Sequence, residues 1–421
     1  MVVDDAVVVR GLLSRWIDEH PGLRVVATAS NGRLALDELD SLRPDVIILD
    51  LDMPEMDGLT ALPLILRKSP SSSVIIASTL TRRNAELALK CITLGAIDCV
   101  TKPETNREVT TSLSFRRELL QRIEAIAAAR HRRARLHEVE AAVPSPTTPA
   151  RPAPDMAAAP LPARPAEHCR APALHPLERL RQERSLRRPL AAEADGGSPA
   201  TGAILRTRDV ESRPAPSSRP QTGSRAGPVG MLCIGASTGG PKAVSAFLSE
   251  LGNALDHVPT LIVQHMPPIF TSVFADHLRA ATGRTAREPL DGERLENGVI
   301  YVAPGGRHLR IARRGGQATA QLDDGPPVNF CRPAVDHLFA DAARSFGAQT
   351  LAIVLTGMGH DGLEGARALK AAGAQVLVQD EASSAVWGMP GSVARAGLAD
   401  AVLDVAGLAA QSRRAIGEGR R

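Results

Sequence analysis

Aromatic residues are scarce: two Trp, one Tyr and seven Phe in 421 residues. Ala, Val, Leu and Ile must therefore fill the cores, and a protein that stacks nucleic-acid bases on aromatic platforms is not expected. Charge of one sign is missing too. Fifty Lys and Arg stand against 46 Asp and Glu, a net of +4 that is slight for this length and calls for no nucleic-acid partner. No apolar run approaches the roughly 20 residues of a membrane span. No basic segment followed by an apolar one opens the chain, so neither membrane insertion nor a signal peptide is expected. The five cysteines, Cys91, Cys99, Cys169, Cys233 and Cys331, are odd in number and widely scattered, with no Cys-x-x-Cys pair. That argues against a disulfide framework and a zinc site, and places the protein in a reducing compartment, the cytoplasm.

What is present divides the chain into three. With 43% hydrophobic and 23% charged residues it reads as globular overall, and its length allows two or three domains of roughly 100–200 residues. From Arg130 to Gly227, however, Pro, Ala, Arg and Ser take over, and about half of the 32 prolines fall there. Such runs bury little apolar surface, which predicts a flexible linker over 125–228, with one short helix at Ala173 to Leu186. Its arginines read as a solvated face rather than a nucleic-acid patch. On either side, apolar runs alternate with amphipathic stretches. Val46–Leu49, Val74–Ala77 and Ala96–Val100 are strand candidates before the linker. Met231–Ile234, Thr260–Val263, Val299–Val302, Leu351–Leu355 and Val376–Val378 follow it. The alternation predicts two doubly wound α/β domains with parallel sheets, at 1–124 and 229–421.

In such sheets the working residues stand at the carboxyl ends of strands. Asp4 and Asp5, Asp50, Ser78 and Lys102 occupy those positions in the first domain. Acidic residues at strand ends are often no more than solvent-facing turns. Here three carboxylates would converge and repel one another unless a hard cation such as Mg²⁺ joins them. The lysine and the hydroxyl would then hold the oxygens of a phosphoryl group on Asp50. With Met53-Pro54-Glu55-Met56-Asp57-Gly58 and Lys102-Pro103, the region resembles the response-regulator receiver family. The resemblance implies Asp50 as phospho-acceptor, chosen over Asp52 and Asp57 by its spacing to the Met-Pro pair. It implies Asp4 and Asp5 as Mg²⁺ ligands with Asp50, the Asp52 carbonyl completing the set, and Ser78 and Lys102 as phosphate-sensing residues. There are two departures. Only Met1-Val2-Val3 precede the acidic pair, so either the true start lies upstream or the first strand is short and the domain less stable, and Cys99 stands where the family commonly carries an aromatic switch residue.

In the second domain Gly235-Ala-Ser237-Thr-Gly239-Gly240-Pro241 follows a strand and opens a helix. Gly-x-Ser-x-Gly at such a turn lifts a serine hydroxyl above the sheet edge; the same loop could instead cradle a phosphate. A serine nucleophile needs a base and a group that orients the base. His265, in Gln264-His265-Met266-Pro267, and Asp361, in Thr356-Gly-Met358-Gly-His360-Asp361-Gly362, both follow strands. His308 and His360 compete with His265 and read as ordinary loop histidines, while Asp276 and Asp336 read as surface or structural acids on helices.

These motifs, with Ala303-Pro-Gly-Gly-Arg-His308, Val328-Asn329, Arg332-Pro333, Val335-Asp336 and Trp387-Gly-Met-Pro390, resemble the CheB family of chemotaxis protein-glutamate methylesterases. The resemblance implies Ser237 as nucleophile, His265 as general acid/base, Asp361 as its orienting carboxylate, and Thr238 and Met358 beside the oxyanion, with no cofactor at the hydrolase site. It further implies glutamyl methyl esters and glutamines on the cytoplasmic domains of methyl-accepting chemoreceptors as substrates. A chemotaxis histidine kinase would be the phosphodonor that relieves a receiver-imposed block. Two other readings keep the same motifs: a receiver-gated esterase of a non-motility chemosensory pathway, and a phosphorylation-dependent binding protein whose active site is unused.

Overall fold

A computed structural model describes residues 1–102, 112–142 and 228–418. The linker expected over 125–228 lies mostly outside these residues, as does the short helix expected at Ala173 to Leu186.

The N-terminal domain carries five parallel strands in the order β2-β1-β3-β4-β5: β1 Val2–Val3, β2 Thr28–Ala29, β3 Val46–Asp50, β4 Ser73–Thr79 and β5 Asp98–Lys102. Its helices are α1 Val7–Asp18, α2 Gly32–Glu38, α3 Gly58–Lys68, α4 Arg82–Leu94 and α5 Leu113–Ala142. The period of two along each strand sorts the core into two layers. Ile47, Leu49, Val74 and Ile76 join Leu62, Ile65 and Ala88 of α3 and α4. Val46, Ile48, Ile75 and Ala77 face Leu13 and Trp16 of α1 and Leu119 of α5. Helices thus cover both faces, and continuous apolar runs are what such strands require. Val2 and Val3 of the first strand are fully buried between β2 and β3.

Helix α5 carries the chain past residue 124, because Phe115, Leu119, Ile123, Ile126 and Ala129 continue one buried stripe at helical spacing. Arg122 on the same helix is buried and pairs with buried Asp98 at 2.6 Å, donating also to the Cys99 carbonyl at 3.0 Å. Arg122→Ala would strand the Asp98 charge, and we expect a loss of about 3–5 kcal/mol, read as a fall in the denaturant midpoint of the N-terminal domain. A loss within experimental error would show that the pair does not pin α5 to the sheet.

The C-terminal domain has a seven-stranded sheet in the order β14-β13-β12-β6-β7-β9-β8, every neighbouring pair parallel. Its strands are β6 Met231–Ala236, β7 Thr260–Gln264, β8 Ala286–Arg287, β9 Ile300–Val302, β12 Thr350–Val354, β13 Gln375–Gln379 and β14 Ala401–Leu403. Helices α6 Gly240–Leu251, α7 Phe270–Thr282, α8 Val335–Phe346, α9 Leu363–Ala371, α10 Met389–Arg395 and α11 Val405–Glu418 accompany it. An antiparallel hairpin, β10 His308–Arg314 and β11 Gln317–Asp323, was not anticipated. Its signal was present: Gly315-Gly316, at φ +56° and +83°, supply the two left-handed residues a tight hairpin turn demands. After β6 the chain runs to β7 on one side and later returns to β12 on the other. The crevice outside the carboxyl ends of these three strands is therefore the switch point where α/β sheets place their sites.

Candidate active site and candidate phosphoryl site

The register of the central strands sets the crevice of the C-terminal domain. Ala236 pairs with Gln264, so Ser237 and His265 leave adjacent strands side by side, and the His265 N–H donates to the Ala236 carbonyl at 3.1 Å. The serine loop is tied down on three sides. Ser237 N–H donates to the Thr356 carbonyl at 3.0 Å, while its own carbonyl accepts from Gly240 N–H at 2.7 Å and from Gln264 Nε2 at 2.8 Å. Gly357 lies directly beneath: a Cβ there would stand 2.9 Å from the Ser237 Cβ, so only glycine lets the two loops approach.

Asp361 is saturated. Its Oδ2 accepts from His265 Nε2 at 2.7 Å and from Val335 N–H at 2.7 Å; its Oδ1 accepts from the Asp336 and Gly362 N–H groups, each at 3.0 Å. Four donors fill the carboxylate's four lone-pair sites, and two of them are the first amides of α8, where a helix favours negative charge. Burial alone would raise this carboxyl, but the His265 bond and the backbone amides hold it below its usual range. His265, Cys331 and Asp361 lie close enough together to suggest a metal site; the filled carboxylate instead marks Asp361 as a group that orients its neighbour.

With Nε2 committed to Asp361, His265 has Nδ1 left, and Cys331 Sγ stands 3.5 Å from it. Burial opposes the charged ring, but Cys331 and Asp361 outweigh it and push the imidazole up. Among the described residues no hydrogen bond joins the Ser237 hydroxyl to His265. Thr238 has a buried Oγ1 without a partner, and its carbonyl accepts from Thr356 Oγ1 at 2.9 Å. Met358 is half-buried beside these loops.

The competing residues fall elsewhere. His360 is exposed. His308 is fully buried and satisfied, its Nε2 3.1 Å from the Pro326 carbonyl and its Nδ1 accepting from Ala334 N–H at 3.2 Å. Asp336 is structural, accepting from Gly365 N–H at 2.8 Å. Asp276 receives Arg82 of the N-terminal domain at 2.8 Å. Cys331 was missed as a neighbour of the site; a lone cysteine 66 residues from the histidine gives no local signal.

In the N-terminal domain the carboxylates of Asp4, Asp5 and Asp50 gather at the ends of β1 and β3. Lys102 Nζ, from the end of β5, bridges Asp50 Oδ1 at 2.7 Å and Asp4 Oδ2 at 3.1 Å. Burial pushes the Asp50 carboxyl up to about 6 against the pull of Lys102, with Asp4 adding to the rise. Burial would lower the Lys102 ammonium, but Asp50 and Asp4 carry it above its ordinary value. Ser78 has a buried hydroxyl with no partner. Three carboxylates suit a hard divalent cation, and an orphaned hydroxyl beside them suits phosphoryl oxygens, so these residues fit Mg²⁺. The rival acceptors are otherwise engaged. Asp57 caps α3, accepting from Thr60 N–H at 2.7 Å, and Asp52 accepts from Asn84 Nδ2 at 3.1 Å. A Cβ on Gly58 would meet the Asp50 carbonyl at 2.1 Å, which explains the glycine in this motif.

Comparison with known proteins agrees with both halves. The response regulator receiver domain family matches residues 1–114, and the CheB methylesterase family matches residues 232–411. A protein-glutamate methylesterase/protein-glutamine glutaminase of Rhodopseudomonas palustris (strain BisB5) is 42% identical over 403 residues, covering 96% of this chain and 90% of its own. A protein of the same name from the group 2 operon of Bradyrhizobium diazoefficiens is 42% identical over 414 residues, covering 98% and 93%. The crystal structure of the Thermotoga maritima CheB methylesterase catalytic domain is 36% identical, covers 44% of this chain and 97% of its own, and superposes with a TM-score of 0.43. With a receiver domain ahead of a methylesterase domain, and relatives this similar over nearly its whole length, the chain belongs to the CheB methylesterase family.

Proposed function

We propose that the chain is a phosphorylation-regulated protein-glutamate methylesterase and protein-glutamine glutaminase of chemotaxis. It acts in the cytoplasm on the cytoplasmic domains of methyl-accepting chemoreceptors. Among the described residues no helix is long and apolar enough to cross a membrane. The observation that carries the reading is the 2.7 Å bond from His265 to the saturated Asp361, at the strand end beside Ser237.

With the His265 ring neutral, Ser237 Oγ attacks the γ-carbonyl carbon of a glutamyl methyl ester and gives its proton to Nδ1, the nitrogen Asp361 leaves free. Asp361 holds the ring and stabilises the imidazolium. The oxyanion develops beside Thr238 and Met358, whose backbone N–H groups act as donors. His265 returns the proton to the leaving methoxide, methanol departs, and water releases the acyl-enzyme as glutamate. With a glutamine side chain the leaving group is ammonia.

Asp50 is the phospho-acceptor for a chemotaxis histidine kinase. Mg²⁺ bound by Asp4, Asp5 and Asp50, with the Asp52 carbonyl, would neutralise the phosphoryl oxygens. Lys102, now bonded to the Asp50 carboxylate, and the unpartnered Ser78 hydroxyl are placed to take up the new oxygens. Coupling between the domains is supported by three contacts: α4 packs on α7, Arg82 pairs with Asp276, and Arg117 of α5 lies 5.7 Å over the Phe330 ring, next to Cys331. The test is methanol release from a methylated receptor. Wild type is expected to release methanol and to speed up when a small phosphodonor and Mg²⁺ are added, whereas Asp50→Ala is expected to ignore the phosphodonor. No methanol would exclude the substrate, and equal rates in all arms would exclude the regulation.

A further inference from the structure

Cys331 is the residue at this site that the ester reaction does not use. Val328 and Cys331 exchange two backbone hydrogen bonds, of 2.8 and 3.0 Å, across a two-residue turn. Both central residues, Asn329 and Phe330, take left-handed φ values of +51° and +64°. That conformation is unfavourable for a bulky aromatic side chain, and Phe330 gains no burial from it, being 89% exposed. The turn sets the Cys331 sulfur 3.5 Å from His265 Nδ1, with His265 Nε2 2.7 Å from Asp361. Thiol, imidazole and carboxylate thus form a second, complete relay, of the kind that activates a cysteine.

We propose that Cys331 is a modification site: a thiol that the His265–Asp361 pair activates toward peroxides and soft electrophiles, and whose modification blocks the hydrolase. The other described cysteines lack this setting. Cys91, Cys99 and Cys233 are buried, and burial pushes each thiol up, Cys91 to about 12. Cys331 is partly exposed. Its proton passes to His265 Nδ1, and the thiolate attacks one peroxide oxygen. The S–O bond forms as the O–O bond breaks. The departing hydroxide takes the proton from His265 and leaves as water. Sulfur is oxidised by two electrons to a sulfenic acid and the peroxide is reduced. A thiol reductant reverses this: it displaces water to form a mixed disulfide, and a second thiol frees Cys331. While present, the added oxygen stands against the one ring nitrogen able to accept the Ser237 proton. This consequence for activity rests on the proposed role of His265; the reactivity of Cys331 does not.

The full chain is treated with hydrogen peroxide or iodoacetamide, following methanol release and the mass of the peptide bearing Cys331. Wild type is expected to lose activity by at least roughly tenfold, to recover after peroxide when dithiothreitol is added, and to carry the label on Cys331. Cys331→Ala is expected to hold its activity through both treatments. His265→Ala is expected to alkylate at Cys331 at least roughly tenfold more slowly, by mass alone. Equal alkylation rates in wild type and His265→Ala, or equal inactivation of wild type and Cys331→Ala, would overturn the proposal. If no methanol were released even before treatment, the methylesterase reading would fail, and the mass data would still decide the state of Cys331.

Discussion

Ser237→Ala should lower kcat for methanol release by about 10⁴–10⁶-fold, the range seen when a hydrolase triad loses its nucleophile, or about 5–8 kcal/mol of transition-state stabilisation. The loss should fall on kcat. The serine loop is held through its backbone, by Thr356, Gly240 and Gln264, so the variant keeps the loop and removes only the hydroxyl. Purified variant and wild type on one methylated receptor preparation make the comparison. Activity within about tenfold of wild type would assign the nucleophile elsewhere, and Cys331, 3.5 Å from the same imidazole, would be the first candidate.

Asp361→Asn should cost about 10⁴-fold in kcat, as in triads whose orienting carboxylate becomes an amide. The reason here is specific. All four partners of Asp361 donate: one imidazole nitrogen and three backbone amides. An asparagine must point its NH₂ at two of them, either the Asp336 and Gly362 amides or His265 and the Val335 amide, so each orientation loses two hydrogen bonds, one of them to the start of α8. Two buried donors left unpaired cost about 1–3 kcal/mol each, so a stability loss should accompany the kinetic one. Its pH dependence follows from the two shifts. Asp361 is held below its ordinary 3.8, so its contribution is present above that value and lost as pH falls through the lower folded value. His265 is raised above 6.5 by Cys331 and Asp361 together, so the share that Asp361 contributes is full below 6.5 and lost as pH rises through the raised value. The Tm difference between wild type and Asp361→Asn should thus be largest between about pH 4 and 6.5 and shrink as pH rises above that window. A difference that grew with pH above 6.5 would show that the pair does not stabilise as an ion pair.

The parts of the fold that were legible are those in which one residue does one local job. Apolar runs such as Val46–Leu49 and Thr260–Val263 became central strands because burial on both faces permits little else, and the residues just beyond them became Asp50 and His265. The hairpin of β10 and β11 was hidden by its polar outer face, with Arg310, Arg313 and Gln321 masking the alternation around Gly315-Gly316. Arg122 and Asp98 were invisible as a pair because each is unremarkable in its own segment. Cys331 was invisible for a further reason: what matters about it is the ring it touches, and that ring arrives from another strand.

The spacing of the hydrolase groups also ties chemistry to folding. Ser237 and His265 each stand one position beyond the cross-strand pair Ala236 and Gln264. Because side chains alternate faces along a strand, a slip of β7 by a single residue would carry Leu261, Val263 and His265 together to the opposite face and take the imidazole away from the serine. The same hydrogen-bonded ladder that assembles the apolar interior therefore acts as the alignment gauge of the catalyst. A chain whose central sheet has zipped in the wrong frame would look compact yet be inert.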